Sequence, residues 1–515
     1  MKRSLKLHFF LALTYWYEIY YDVWLGGKYF LKIDEMHKKY GMSPRSSLID
    51  TNIGHQGPVI RTNPDEVHFN DADFADTLYP NLGRKTNKPA LVAKRTGTPN
   101  SVVATMEHDI HRQRRNAINS FFSTASIRRL EPIVKKAMTK MLSRLEQSGK
   151  NGEVVTMHHV FKALTSDVIN IYAFDASFDF LGQPSYGRGY FDATDLFFSL
   201  NHVFCYFPFV AFLVQSLPPW LVSFFMPTLQ ELFEKKDWWI ERVREIRNSP
   251  NPERVKTTIF EGIINSSLPD EEKTDARLAT GRVCWRGNDW WDTHDNRIRT
   301  EGSRLMFETV AFTLTAALYE LLANPPVLKK LKEELAGAVA NPKEIPSFSE
   351  LDGLPYFNSV VTEVIRLHPG VMNRQYRTSP EVPILYEDKI RSVKYVIPAN
   401  TVYSMSPLAI HMNPDVFEDP YKFEPQRWID NPKLARAFMG FSKGTRGCVG
   451  MNLARREMSV VLASLFLKYE VYQGQKGPTL ELYDTQRARD IDANSDYIIP
   501  VPAKGSQGLR VKIRN

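Results

Sequence analysis

Apolar residues recur at helical spacing over long stretches of the chain. Across residues 125–147, Ile127, Leu130, Ile133, Val134, Ala137 and Met141 share one face and basic residues the other, which predicts an amphipathic helix. Residues 303–335 predict a helix to Ala323, a stop at Asn324-Pro325-Pro326, and a second helix through Leu335. Proline removes a backbone donor at the stop and fixes the angle for the restart. A third helix is expected from Tyr356 to Leu367, ended by Pro369-Gly370. Strand-like pieces are short, as at Lys394–Ile397 and Gly508–Ile513, and Asn248–Pro252 reads as a loop between helices. The expected class is mainly α with small β sheets.

Two greasy stretches bear on membranes. Phe9 to Trp16 is broken by Glu18 and Asp22 before the ~20 residues that a span needs, and no small-residue cleavage site follows it. Phe197 to Phe225 carries Asn201, Pro208, Gln215, Pro218 and Pro219, which fits a buried helix pair or a surface dipping into lipid better than a span. Length alone, at 515 residues, would suggest several domains, but no repeat, linker or low-complexity run divides the chain. The net charge of +8 is spread rather than blocked, which argues against nucleic acid and leaves room for an acidic protein or an anionic membrane. Three cysteines, Cys205, Cys284 and Cys448, make no disulfide framework and indicate a reducing compartment.

The strongest chemical signal is the run from Phe441 to Gly450, with Gly444, Arg446, Gly447 and Cys448 inside it. A thiolate there could ligate haem iron and push electron density towards bound oxygen. Glycines allow backbone N–H groups to come close to sulfur, and the helix expected from Met451 to Leu467 would add its N-terminal dipole. Arg446 is placed to neutralise a haem carboxylate. Upstream, Glu363 and Arg366 are three apart in one helix and can pair. Arg427 lies in Pro425-Gln426-Arg427-Trp428, shortly before the cysteine.

With the pattern F-x-x-G-x-R-x-C-x-G at 441–450, the chain resembles the cytochrome P-450 family over nearly its whole length, residues 11–515 as one domain. The resemblance implies haem (iron protoporphyrin IX) with an axial Cys448 thiolate, held between a long central helix and the cysteine loop. It implies that Phe441, Gly444 and Arg446 help to hold that group. It implies a buried structural triad of Glu363, Arg366 and Arg427, which can be buried because it is bonded on every side. His111-Arg112-Gln113-Arg114-Arg115 is similar to the H-R-x-R-R form of a subset of fungal members, where His111 and Arg115 would meet the haem propionates. Arg377 is a further propionate candidate, with Arg374 as the alternative. Counting back from Asn324-Pro325, Glu308 and Thr309 match the family's acid–alcohol pair for proton delivery, but Met306 stands where a glycine is expected.

Three places depart from the pattern. The anchor expected before Tyr15 is missing, with residues 1–10 as a truncated remnant. Residues 42–57 and 281–300 are atypical insertions, each resuming the pattern in frame, which is expected of translated intron. The resemblance implies a monooxygenase acting on a lipophilic molecule, such as a terpenoid or related secondary metabolite. It would use O₂ and electrons from NADPH through a flavoprotein reductase, at the endoplasmic reticulum surface or, without an anchor, in the cytoplasm. Peripheral membrane contact would run through 197–225. An oxygen-independent isomerase or dehydratase on the same haem, and an inactive haem-binding remnant, remain open.

Overall fold

The computed structural model describes residues 14–40, 58–91, 101–210, 221, 224, 227–251, 257–273, 302–389 and 392–514. The insertions 42–57 and 281–300, Cys284, most of 9–16 and most of 211–225 lie outside them, and the side chain of Met306 is not described.

Helices dominate. In chain order they include α1 (Tyr29–Tyr40), α2 (His108–Asn119), α3 (Glu131–Lys150), α4 (Met157–Phe174), α5 (Arg188–Ser199), α6 (Gln230–Asn248), α7 (Gly302–Ala323), α8 (Pro325–Ala338), α9 (Pro355–Leu367) and α10 (Met451–Lys468). The break after α7 falls at Asn324, and α8 restarts on proline at its first position. The single helix expected over 125–147 is instead two: a short one, Thr124–Arg128, capped by Ser123, and then α3. Pro132 is the cause, since it cannot donate to the carbonyl of Arg128 and its ring would clash there. The apolar period still holds across the break, with Ile127, Leu130, Val134, Ala137 and Met141 all buried.

The strands form small sheets. β1 (Val59–Arg61) pairs with β2 (Glu66–Phe69), which also pairs in parallel with β6 (Val402–Ser404). β11 (Arg510–Arg514) sits between β3 (Val154–Thr156) and β8 (Thr479–Leu482), and β7 (Glu470–Val471) lines the far edge. β4 (Ile384–Asp388) with β5 (Val393–Ile397), and β9 (Ser495–Tyr497) with β10 (Ile499–Val501), are two-stranded pairs.

The main core gathers α3, α4, α7, α9 and α10, and α7 runs along α4. α4 is buried almost throughout, including one lysine, Lys162. A smaller core, with Phe69, Tyr403, Met405 and Phe417, lies beneath the first sheet. In the greasy run from 197, Phe197, Phe198, Phe204 and Cys205 are buried on two short helices, while Phe209 and Phe224 are exposed. Among the described residues, no helix is long and apolar enough to cross a membrane.

Candidate active site

The loop at 441–450 is held by its own backbone. The Cys448 N–H donates to the Phe441 carbonyl at 2.8 Å, and the Gly447 N–H to the Gly444 carbonyl at 2.9 Å. Gly444 has φ of 72°, and a Cβ there would lie 2.5 Å from the carbonyl oxygen of Tyr79. Its need for glycine is therefore close packing against the Tyr79-Pro80 backbone, not access to sulfur as expected. A Cβ at Gly450 would make only ordinary contact with Cys448 Sγ, at 3.9 Å. The Gly450 N–H donates to that sulfur, one residue before α10 begins.

Cys448 is accessible, yet protein surrounds it closely, so its surface opens on an inner cleft. Burial pushes its thiol pKa up, against the Gly450 N–H and the Arg115 guanidinium, which pull it down. Arg115 also donates to the Gly447 carbonyl at 2.8 Å. Thus α2 is tied to the cysteine loop.

Bases crowd this cleft. His111 and Arg115 come from α2, Arg446 from the loop and Arg377 from a bridge to Tyr403. They are joined by Lys88, which the motifs did not indicate. His111 is pushed down to about 2 by burial and then by Arg446, Lys88, Arg115 and Arg377, so it is neutral. Burial, with Arg377 nearby, lowers even Arg446 to about 9. Burial takes Lys88 well below its ordinary value, helped by Arg377 and Arg446. Arg446 donates to the carbonyls of Thr105 and Met106, but its Nε has no hydrogen-bond partner.

Among the described residues, no carboxylate pairs with Lys88, Arg115, Arg377 or Arg446. Buried cations without an anion are costly, so the cluster fits a ligand that carries carboxylates. Haem, with two propionates and an iron that takes a thiolate, meets both halves of this donor set. Arg374, the alternative to Arg377, does not join the cluster. It binds Glu18 and, at 2.6 Å, Glu66 in a separate buried acidic group, where its charge is already matched.

The Glu363 carboxylate accepts from Arg366 Nε at 2.8 Å and Nη2 at 2.9 Å, Arg427 Nε at 3.1 Å and Trp428 Nε1 at 2.9 Å. Arg366 also donates to the carbonyls of His411 and Pro420, at 2.8 and 2.7 Å. His411 continues the chain of bonds: its Nδ1 meets the Arg366 carbonyl at 2.9 Å, and its Nε2 accepts from the Met439 N–H at 2.9 Å. Burial and the charge of Arg366 lower His411 to about 3, which keeps it neutral, as that pattern requires. The triad is thereby joined to the segment that enters the cysteine loop.

On α7, Glu308 and Thr309 point different ways. Thr309 packs so closely on Gly370 that a Cβ there would lie 2.8 Å from the Thr309 carbonyl oxygen. Glu308 is buried and pairs with Lys162 Nζ of α4 at 2.9 Å. Lys162 was also missed, although a lone lysine in the apolar run of α4 was a visible signal.

Residues 16–486 match the model of the Cytochrome P-450 family. Among known proteins, the chain is 33% identical to a cytochrome P-450 monooxygenase, tpcC, of Cochliobolus heterostrophus, covering 98% of this chain and 90% of that one. It is also 33% identical to the cytochrome P-450 monooxygenase astB of Talaromyces wortmannii, over 98% and 91%. The tryptophan 6-hydroxylase fscE of Fusarium equiseti is 31% identical, over 98% and 90%.

Proposed function

From the premise that this chain belongs to the cytochrome P-450 family and is a monooxygenase, we propose that Cys448 would supply the thiolate that holds its haem. The observation that carries this is one cleft that joins the accessible Cys448 to bases lacking carboxylate partners. When bound, haem supplies the activation of oxygen for insertion into a substrate. The chain's own residues do the rest. Arg446, Arg377, Arg115, Lys88 and neutral His111 bind its carboxylates. The Gly450 N–H and the α10 N-terminus stabilise negative sulfur. Glu363, Arg366 and Arg427 hold the loop, and Glu308 with Thr309 delivers protons.

The fuller reading is oxidation of a lipophilic molecule in secondary metabolism, with O₂ and electrons from NADPH through a flavoprotein reductase. Relatives of near full-length coverage support it, and one of them is named for hydroxylating tryptophan. The exposed Phe209 and Phe224 support membrane contact at 197–225. The test is a carbon monoxide difference spectrum of the reduced, haem-loaded protein. A thiolate-type band is expected from the wild type and its loss from Cys448→Ala; retention of the band in that variant would overturn the assignment. One observation, Met306 in place of glycine, favours an oxygen-independent isomerase or dehydratase as second reading. Product formed without O₂ would decide for it.

A further inference from the structure

The cysteine loop is tied near its far end by Arg115, which donates to the Gly447 carbonyl. Its near end, Phe441, meets a base that no motif indicated. Arg455, the fifth residue of α10, has its guanidinium carbon 5.3 Å from the centre of the Phe441 ring and 5.7 Å from that of Phe438. Its Nη1 donates to Thr362 Oγ1 of α9 at 3.1 Å, and that hydroxyl donates in turn to the Asn358 carbonyl at 2.8 Å. Arg455 therefore joins α10 to α9 and to the loop. We infer that Arg455 is a positioning residue for the Cys448 sulfur, clamping the Phe441 ring so that the entry arm of the cysteine loop cannot swing away from α9 and α10. The inference rests on the reading of Cys448 given above.

Among the described residues, no carboxylate pairs with Arg455, whereas the next residue, Arg456, is matched by Asp352 at 2.7 Å. Burial lowers the Arg455 pKa and no anion raises it, yet a guanidinium stays charged under such conditions. Its attraction is left for the negative faces of the two rings, where desolvation strengthens it. A leucine or methionine would pack on phenyl rings without the cost of burying a charge. What the guanidinium adds is direction, because its flat fork faces two rings while one donor is fixed on Thr362. The rings are themselves anchored. Phe441 meets Phe438 at 6.2 Å, and Phe438 stacks on His411 at 5.5 Å and stands edge-on to Trp428 at 5.7 Å. His411 is bonded to the Arg366 carbonyl and Trp428 to the Glu363 carboxylate, so the clamp closes on the structural triad. On its other side, Phe441 offers its carbonyl to the Cys448 N–H at 2.8 Å. The hold on the ring thus reaches the backbone of the ligand residue in one bond. The cation that acts directly on the charge of Cys448 is Arg115, so Arg455 works through the ring it holds and not through its field.

The test uses the haem-loaded protein in rising urea and reads two midpoints. One is for loss of the thiolate-type band in the reduced carbon monoxide spectrum, the other for loss of the helical circular dichroism. In Arg455→Met the loop should open locally before the helices do. The band midpoint should fall while the helical midpoint stays, so the gap between them widens beyond that of the wild type. At a urea concentration that leaves the helices intact, the band should be lost several-fold faster than in the wild type. Arg455→Lys, which keeps the charge without the fork, should fall between the two. Arg456→Met, which breaks only the pair with Asp352, should leave the gap unchanged. A residue that serves packing alone moves both midpoints together, so an unchanged gap in Arg455→Met overturns the inference. Should Arg455→Met not fold, Arg455→Lys decides, and an unchanged gap there overturns it equally. A wild type without a thiolate-type band would sink the Cys448 reading itself, and this inference with it.

Discussion

Two ionic triads sit at different places in the helical core, one on α9 and one on α4, and they are built to opposite ends. Glu363 has two guanidinium partners, an indole N–H and the Glu424 backbone N–H, and Arg366 spends its remaining donors on carbonyls. Both Glu363 and Arg366 are fully buried. Lys162 instead shares one ammonium between two carboxylates, one of which is more than half exposed. A closed triad with an excess of cation has no state to change into, so it fixes geometry. An open triad, with one carboxylate in water, holds that end only loosely.

The closed triad should therefore give the largest loss when broken. Glu363→Ala leaves two buried guanidinium groups without their carboxylate, a penalty of roughly 3–5 kcal/mol. Because the triad also leads through His411 and Met439 to the cysteine loop, the expected outcome is loss of haem incorporation. Absorbance of the purified variant checks it, and a soluble, haem-loaded Glu363→Ala would show that the triad is dispensable. Arg427→Ala should be milder. Its side chain is 10% exposed and Glu363 keeps Arg366, so the loss is that of charge-assisted hydrogen bonds, about 1.5–3 kcal/mol. Denaturant unfolding of the two variants should rank them in that order.

A third buried carboxylate sharpens the contrast, since Glu457 of α10 has no ion partner among the described residues. Burial alone pushes its pKa up to about 8. In the unfolded chain it would titrate near 4.3, so between those values the folded state holds a proton that the unfolded state lacks. Its contribution is fully present below the unfolded value and is lost as pH rises towards 8, by about 1.4 kcal/mol per pH unit at most. Glu457→Gln should remove that slope. Unfolding midpoints of wild type and variant should separate progressively from pH 5 to pH 8, in favour of the variant; parallel curves would mean that Glu457 is ionised in the fold.

What the sequence made legible follows the same division. Cys448, Arg446, Glu363 and Arg366 lie in short motifs, where spacing alone puts side chains on one loop or one helix face. The main helices were legible because their apolar period is strong, and it ran through the break at Pro132 without showing it. Lys88 and Lys162 carry no motif. Lys88 reaches the cleft because Asn87 pairs with Thr378 from the far end of the chain, and Lys162 finds Glu308 only once α4 packs on α7. Arg374 and Arg377 were not separable in sequence. Their odd spacing in an extended segment sends them to different sides, one to Glu66 and one to the basic cleft, but pattern does not say which.

The smallest effect on stability belongs to the open end of the open triad. Asp195→Asn removes a carboxylate that is 55% exposed, so water already screens its attraction to Lys162. Lys162 keeps Glu308, and no buried charge is left alone. The expected cost is under ~1 kcal/mol, and it should shrink further as salt is raised. Unfolding of wild type and variant at low and high ionic strength measures this, with Glu363→Ala as the salt-insensitive reference. A loss as large as that of Arg427→Ala, unchanged by salt, would place Asp195 in a closed and structural triad. The contrast between the two sites would then collapse, because both would serve only to fix the packing of helices. A small loss that salt reduces further is what only an open triad produces.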